Sequence, residues 1–193
     1  MQKWRIDFRV WHWINAFVIM GLLGTVFLRK TFLSWRANSE LLITKLSAIN
    51  IDIAPEEAVK IAKAIRAPMW EWHILLGYAL AILIVWRMIL FFTQSGKENY
   101  KNFNEQTLHD KIVKIGYLGV YAIIVFMSIT GLLMVFHEEL GLLKETVEFL
   151  EEGHELAYNV ILIFVPAHII GVVAAELAKD KGIVSAMING GEK

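Results

Sequence analysis

Cysteine is absent from the 193 residues, which excludes disulfides, iron–sulfur clusters, thiolate metal sites and thioether-attached haem from this chain. No thiolate is available to hold a cofactor. Net charge is absent as well, with 19 Lys and Arg against 19 Asp and Glu. The basic residues are dispersed rather than gathered on one face, so the chain carries no electrostatic footprint for nucleic acid. No internal repeat, low-complexity tract or second soluble domain breaks it up, and residues 1–193 read as one unit.

What the chain has in abundance is apolar sequence. Hydrophobic residues make up 56% of it, against ~45–50% in ordinary globular domains. They gather into four runs, 10–28, 72–92, 115–136 and 156–175, each near the ~20 residues that cross a bilayer as helix. The sequence therefore predicts an all-α membrane protein, a four-helix transmembrane bundle. Arg87 enters the second run close to its end, where a long side chain is expected to carry its guanidinium to the headgroups. The first run holds His12 and Asn15 and no small-residue cleavage site follows it, so it is expected to stay in the mature protein rather than act as a signal.

With four spans both termini lie on one side. If that side is the cytoplasm, Lys and Arg number eleven inside and eight outside, a bias that favours both termini cytoplasmic. The first loop, 29–71, then lies outside and is too long to be structureless. Leu41, Leu42, Leu46 and Ile49 suggest a short amphipathic helix there. A second is expected near IDIAPEEAVKIAKAIR, where Asp52 precedes Pro55 and Glu56 and Glu57 suit a first turn. Pro68 is then expected to open the second membrane helix. The later outer segment, 137–153, is rich in glutamate and has Lys144 as its one basic residue. Exclusion of basic residues from an outer loop explains it better than attraction of a basic carrier.

The histidines carry the chemistry. His154 and His168 are fourteen residues apart in HELAYNVILIFVPAH, about 21 Å along a helix, and at ~100° per residue they share one face. His12 begins the first span and His73 the second, so in an antiparallel bundle they sit near opposite membrane surfaces. The fourth span runs from outside to inside, placing His154 near the outer surface and His168 well toward the inner one, and the levels match in pairs: His12 with His168, His73 with His154. Each level offers two neutral imidazoles and no third or fourth ligand, whereas zinc seeks four. A porphyrin brings its own four nitrogens, so two stacked bis-histidine haem b sites are expected. Gly77, Ala157, Gly171 and Ala175 supply small side chains beside the ligands, although close helix packing uses such residues too.

Several polar residues fall outside that set. His137, beside Glu138 and Glu139, is a rival ligand at the outer level but reads as a surface group. Arg5, Arg9, Arg87, Lys111 and Lys114 on the inner side, and Lys63 and Arg66 on the outer, are candidates to pair haem propionates. The positive-inside bias explains the first group equally well. Trp4, Trp11, Trp13, Trp70 and Trp72 cluster at helix starts and read as an interfacial aromatic belt.

RVWHWINA at the first span, WHILLGY at the second and HELAYNVILIFVPAH in the fourth together resemble the prokaryotic cytochrome b561 and nickel-iron hydrogenase cytochrome b family, which is similar to the membrane subunit of formate dehydrogenase. The resemblance covers all four spans. It implies that His12 and His168 hold the haem nearer the cytoplasm and His73 and His154 the one nearer the periplasm. It also implies a quinone site in the region of His109, where an imidazole can exchange a proton with a quinone oxygen; a solvated interfacial histidine is the plainer reading.

The expected function is that of a di-haem b-type cytochrome moving electrons between the quinone pool and a periplasmic or membrane redox partner protein, with the anchor subunit of a larger oxidoreductase of the respiratory chain as one form of that role. Two alternatives stand beside it: a quinone reductase fed by superoxide, as some family relatives are, and a haem-free ion-binding or transport bundle. Carboxylates are missing from the span interiors, which weighs against the last.

Overall fold

A computed structural model describes residues 4–93, 108–178 and 181–190. Among them the fold is all-α, without strands. Four helices are long and apolar enough to cross a membrane: α1 (Ile6–Lys30), α3 (Pro55–Thr93), α4 (Leu108–Val135) and α5 (Lys144–Leu177). Two shorter ones accompany them, α2 (Trp35–Ser47) and α6 (Ile183–Asn189). At ~1.5 Å per residue the 39 residues of α3 extend about 58 Å and the 34 of α5 about 51 Å. A hydrocarbon core is ~30 Å thick, so both helices run well past what a bilayer needs.

The chain divides into two compact units that cut across α1 and α3. The first comprises Met1–Phe17 and Tyr78–Lys193. In it α4 and α5 are antiparallel neighbours joined by a turn through Gly141, which adopts φ +62°. Ile124 and Thr130 on α4, and Ala157, Tyr158 and Ile161 on α5, are buried; on α5 the steps of four and three residues from Ala157 and Tyr158 to Ile161 keep that set on one helical face. Outward positions such as Ile163 and Ile170 are 73% and 68% exposed, an apolar exterior of the kind that a bilayer covers.

Within this unit α6 is tied back by three side chains making four hydrogen bonds. The Glu176 carboxylate accepts the N–H groups of Gly182 and Val184 at the start of α6 (2.9 and 3.0 Å), satisfying donors that a helix start leaves unpaired. Near its end Arg9 Nη1 and Trp13 Nε1 donate to the carbonyls of Ile188 and Met187 (3.1 and 3.2 Å). Gly190 closes the helix at φ +85°, and an added Cβ there would sit 3.2 Å from the Arg9 guanidinium.

The second unit is Val18–Gly77. The amphipathic helix expected in the first loop is present as α2, and it begins earlier, at Trp35. Lys63 of α3 and Arg36 both lie over the Trp35 ring, 5.5 and 4.6 Å from its centroid. Ala58 and Ala62 on α3 are fully buried and Met69 nearly so, one stripe at helical spacing. Pro55 opens α3 with Glu56 and Glu57 in its first turn, an arrangement suited to the helix dipole.

Four expectations are corrected. Pro68 does not open the second membrane helix; it lies inside α3, since proline removes one N–H from the ladder and an otherwise strong apolar helix absorbs that loss. The acidic segment expected as a loop to residue 153 is mostly the first turns of α5, with only a short turn before Lys144. Trp11 is no interfacial belt residue: it is 4% exposed and its Nε1 donates to the Leu83 carbonyl at 2.7 Å. Arg87, expected to reach for headgroups, is half-buried with its guanidinium 5.2, 5.5 and 5.3 Å from the ring centres of Phe8, Trp11 and Tyr121.

Candidate functional site

His12 stands in the second turn of α1, and the fold brings its ring to His168 of α5, with centroids 6.3 Å apart and planes at 62°. An imidazole nitrogen lies about 2.0–2.1 Å from a bound metal and its ring centroid about 1.1 Å further, so two axial imidazoles on one metal have centroids about 6.3 Å apart. The observed separation fits that span. His168 stacks on Phe164, one turn earlier on α5 (5.6 Å, 18°), and meets Tyr117 of α4 edge-on (6.0 Å). The Tyr117 hydroxyl is 3.4 Å from His168 Nδ1, long for a hydrogen bond.

His154, also on α5, is half-buried against α4. Its Nδ1 lies 2.9 Å from the hydroxyl of Thr130, which is only 2% exposed. The bare Cα of Gly131 faces the ring, leaving an added Cβ 3.6 Å from His154 Cε1. At the adjoining Gly153 a Cβ would be 3.2 Å from Phe126, so glycine is what lets α5 approach α4 beside this histidine.

In the second unit His73 is held in the same manner. Its Nδ1 is 2.7 Å from the hydroxyl of Thr25 on α1, and Trp70 meets the ring edge-on at 5.4 Å. Leu76 lies against Gly21, close enough that a Cβ there would be 2.9 Å from its Cδ1.

Of the remaining predicted residues, His137 has its Nδ1 2.8 Å from the Met134 carbonyl. A carbonyl only accepts, so Nδ1–H donates and caps the end of α4. His109 lies in the first turn of α4, and its side chain falls outside the described residues. Gly77 and Gly171 have open space where a Cβ would stand, whereas Ala157 is buried in protein packing. Arg5 is paired with Asp7 at 3.1 Å. Arg9, Arg87 and Lys63 are engaged as described above. Among the described residues no three or more His, Asp or Glu side chains gather as a metal site; the imidazoles of His12 and His168 stand as a pair.

Thr25 and Thr130 are the site residues that sequence reasoning missed. Their signal was faint: a single hydroxyl inside an apolar run, of the kind that ordinarily bonds back to its own helix.

A family model described as prokaryotic cytochrome b561 matches residues 3–190, a span that takes in all four long helices and all six histidines. No curated protein and no solved structure matches the chain.

Proposed function

We propose a finer role for this chain, which belongs to the prokaryotic cytochrome b561 family and is thereby a membrane b-type cytochrome of electron transfer: it holds two haem b groups and passes electrons between the quinone pool and a redox partner protein. The family brings haem b. The proposal adds their number and their ligands, with His12 and His168 as the axial pair of one haem and His73 and His154 as the pair of the other.

The single observation that carries this reading is the approach of the His12 and His168 rings to 6.3 Å, a separation compatible with two imidazoles sharing one metal. For His73 and His154 the support is the matched depth of the four histidines in the sequence and the buried hydroxyl at each Nδ1. When bound, haem b supplies one-electron chemistry at its iron. With two imidazoles holding each group, no iron position would be open to oxygen, which favours electron transfer over oxygen binding. Both termini face the cytoplasm on this reading, from the excess of Lys and Arg on that side. His109, at the start of α4, is proposed to stand by the quinone, where its ring exchanges a proton with a quinone oxygen.

The test is the protein purified from haem-replete cells. It shows b-type absorption bands and about two extractable protohaems per chain, and quinol reduces them. A colourless protein overturns the reading; one haem per chain overturns its di-haem half.

A further inference from the structure

We infer that Thr25 and Thr130 are positioning residues for the imidazoles they touch, His73 and His154: each hydroxyl oxygen takes the Nδ1 proton and so commits Nε2 to the iron. This rests on the ligand assignment proposed above and concerns how the chain prepares those ligands.

A threonine hydroxyl has one proton to give. Thr25 Oγ1 donates its proton to the Leu22 carbonyl at 2.6 Å. Thr130 Oγ1 donates to the Phe126 carbonyl at 2.9 Å, with Met127 O at 3.2 Å. Carbonyls cannot donate, so in both cases the hydroxyl proton is committed to the helix backbone. Toward the ring each oxygen presents lone pairs only. At 2.7 and 2.9 Å the facing Nδ1 must be the N–H of the neutral imidazole, because two lone pairs opposed at that distance would repel. The tautomer is thereby fixed, and the nitrogen left as acceptor is Nε2.

Burial makes the choice firm. Thr25 is 8% and Thr130 2% exposed, so water does not compete for either contact, and an unmet buried N–H or lone pair is costly. The relay Nδ1–H to Oγ–H to carbonyl polarises along its length. A ligand imidazole that donates from its far nitrogen is a stronger base at the near one, which stabilises the more highly charged, oxidised iron and lowers its reduction potential. The same device occurs twice, on α1 and on α4, and serves two histidines from different helices.

The experiment compares the haem-loaded wild type with T25V, T130V, T25S, T130S and T31V. Thr31 makes the same back-bond to a helix carbonyl, Phe27 O at 2.7 Å, and is exposed, so T31V controls for loss of that bond alone. Haem transfer to excess apomyoglobin, the midpoint potentials and the low-spin resonance spectrum are read, with no reliance on quinol activity. Both valine variants are expected to lose haem about ten- to a hundredfold more readily, the usual cost of removing an outer-shell partner. One haem potential moves positive in each, and both serine variants and T31V keep wild-type values. Valine variants with wild-type potentials and haem loss overturn the inference, as do serine variants that behave like valine, since the effect would then be packing. If H73A and H154A both retain two haems, the ligand assignment fails and takes this inference with it; that result is distinct from either threonine outcome.

Discussion

The indole N–H of Trp11 donates to the main-chain carbonyl of Leu83 across 2.7 Å in a buried setting, pinning the start of α1 to the second half of α3. The Leu83 oxygen has two lone pairs and serves this bond beside its place in the helix ladder. W11F removes the donor and part of the ring volume, and we expect a loss of about 1–2 kcal/mol. W13F gives up the exposed bond to the Met187 carbonyl and is expected to cost less, about 0.5–1 kcal/mol. Denaturant unfolding in detergent measures both; equal effects would refute the anchoring role of Trp11.

The histidine pairs make a combinatorial prediction. H12A and H168A should each remove the same haem, and the double variant should lose no more than either single one. H73A and H154A should remove the other. Haem content and the spectrum of the remaining centre decide it. Variants that pair differently would redraw the ligand sets.

Arg87 is enclosed by Phe8, Trp11 and Tyr121. A planar guanidinium covers ring faces in a way that a lysine ammonium does not, and a partly desolvated cation–π contact contributes about 1–2 kcal/mol. R87K is therefore expected to lose stability on that order and to shift Trp11 fluorescence. An R87K protein as stable as wild type would show that the cage contributes only space.

The α6 latch depends on a residue at positive φ. G190A places a Cβ in the left-handed region, at a cost of about 1–2 kcal/mol, and pushes it toward Arg9. E176A removes the carboxylate that receives Gly182 and Val184. Both variants should expose the chain around α6 to faster proteolytic cleavage while leaving α4 and α5 intact. Unchanged cleavage would mean that α6 is held by its apolar contacts alone.

The four long helices were legible because apolar length is a property of the chain itself, countable without knowing any neighbour. Their ends were not. Pro68 looked like a boundary because proline disfavours helix locally, yet the loss of one hydrogen bond does not stop a helix that has strong apolar sequence on its far side. The start of α5 was hidden by its charge: KETVEFLEEG reads as a solvated loop, and it is equally a solvated helix carrying the Lys144–Glu148 pair (3.3 Å).

The histidines were found by their spacing, since periodicity places residues on faces and span direction places them at depths. Neither quantity fixes a distance. That His12 meets His168 at 6.3 Å, that Arg87 turns inward to three rings, and that Trp11 is buried are outcomes of which helix lies beside which. Thr25 stands 48 residues from His73 and Thr130 24 from His154, so no local pattern links them.

The sequence by itself determined the class of the protein, the number of long helices and the absence of any thiolate ligand, because these follow from composition and from the length of apolar runs. Tertiary structure alone decided which hydroxyl faces which imidazole, and with it which ring nitrogen keeps a lone pair. The reason is that a hydrogen bond between side chains on separate helices exists only at a particular contact distance, which packing sets and the order of residues along the chain does not.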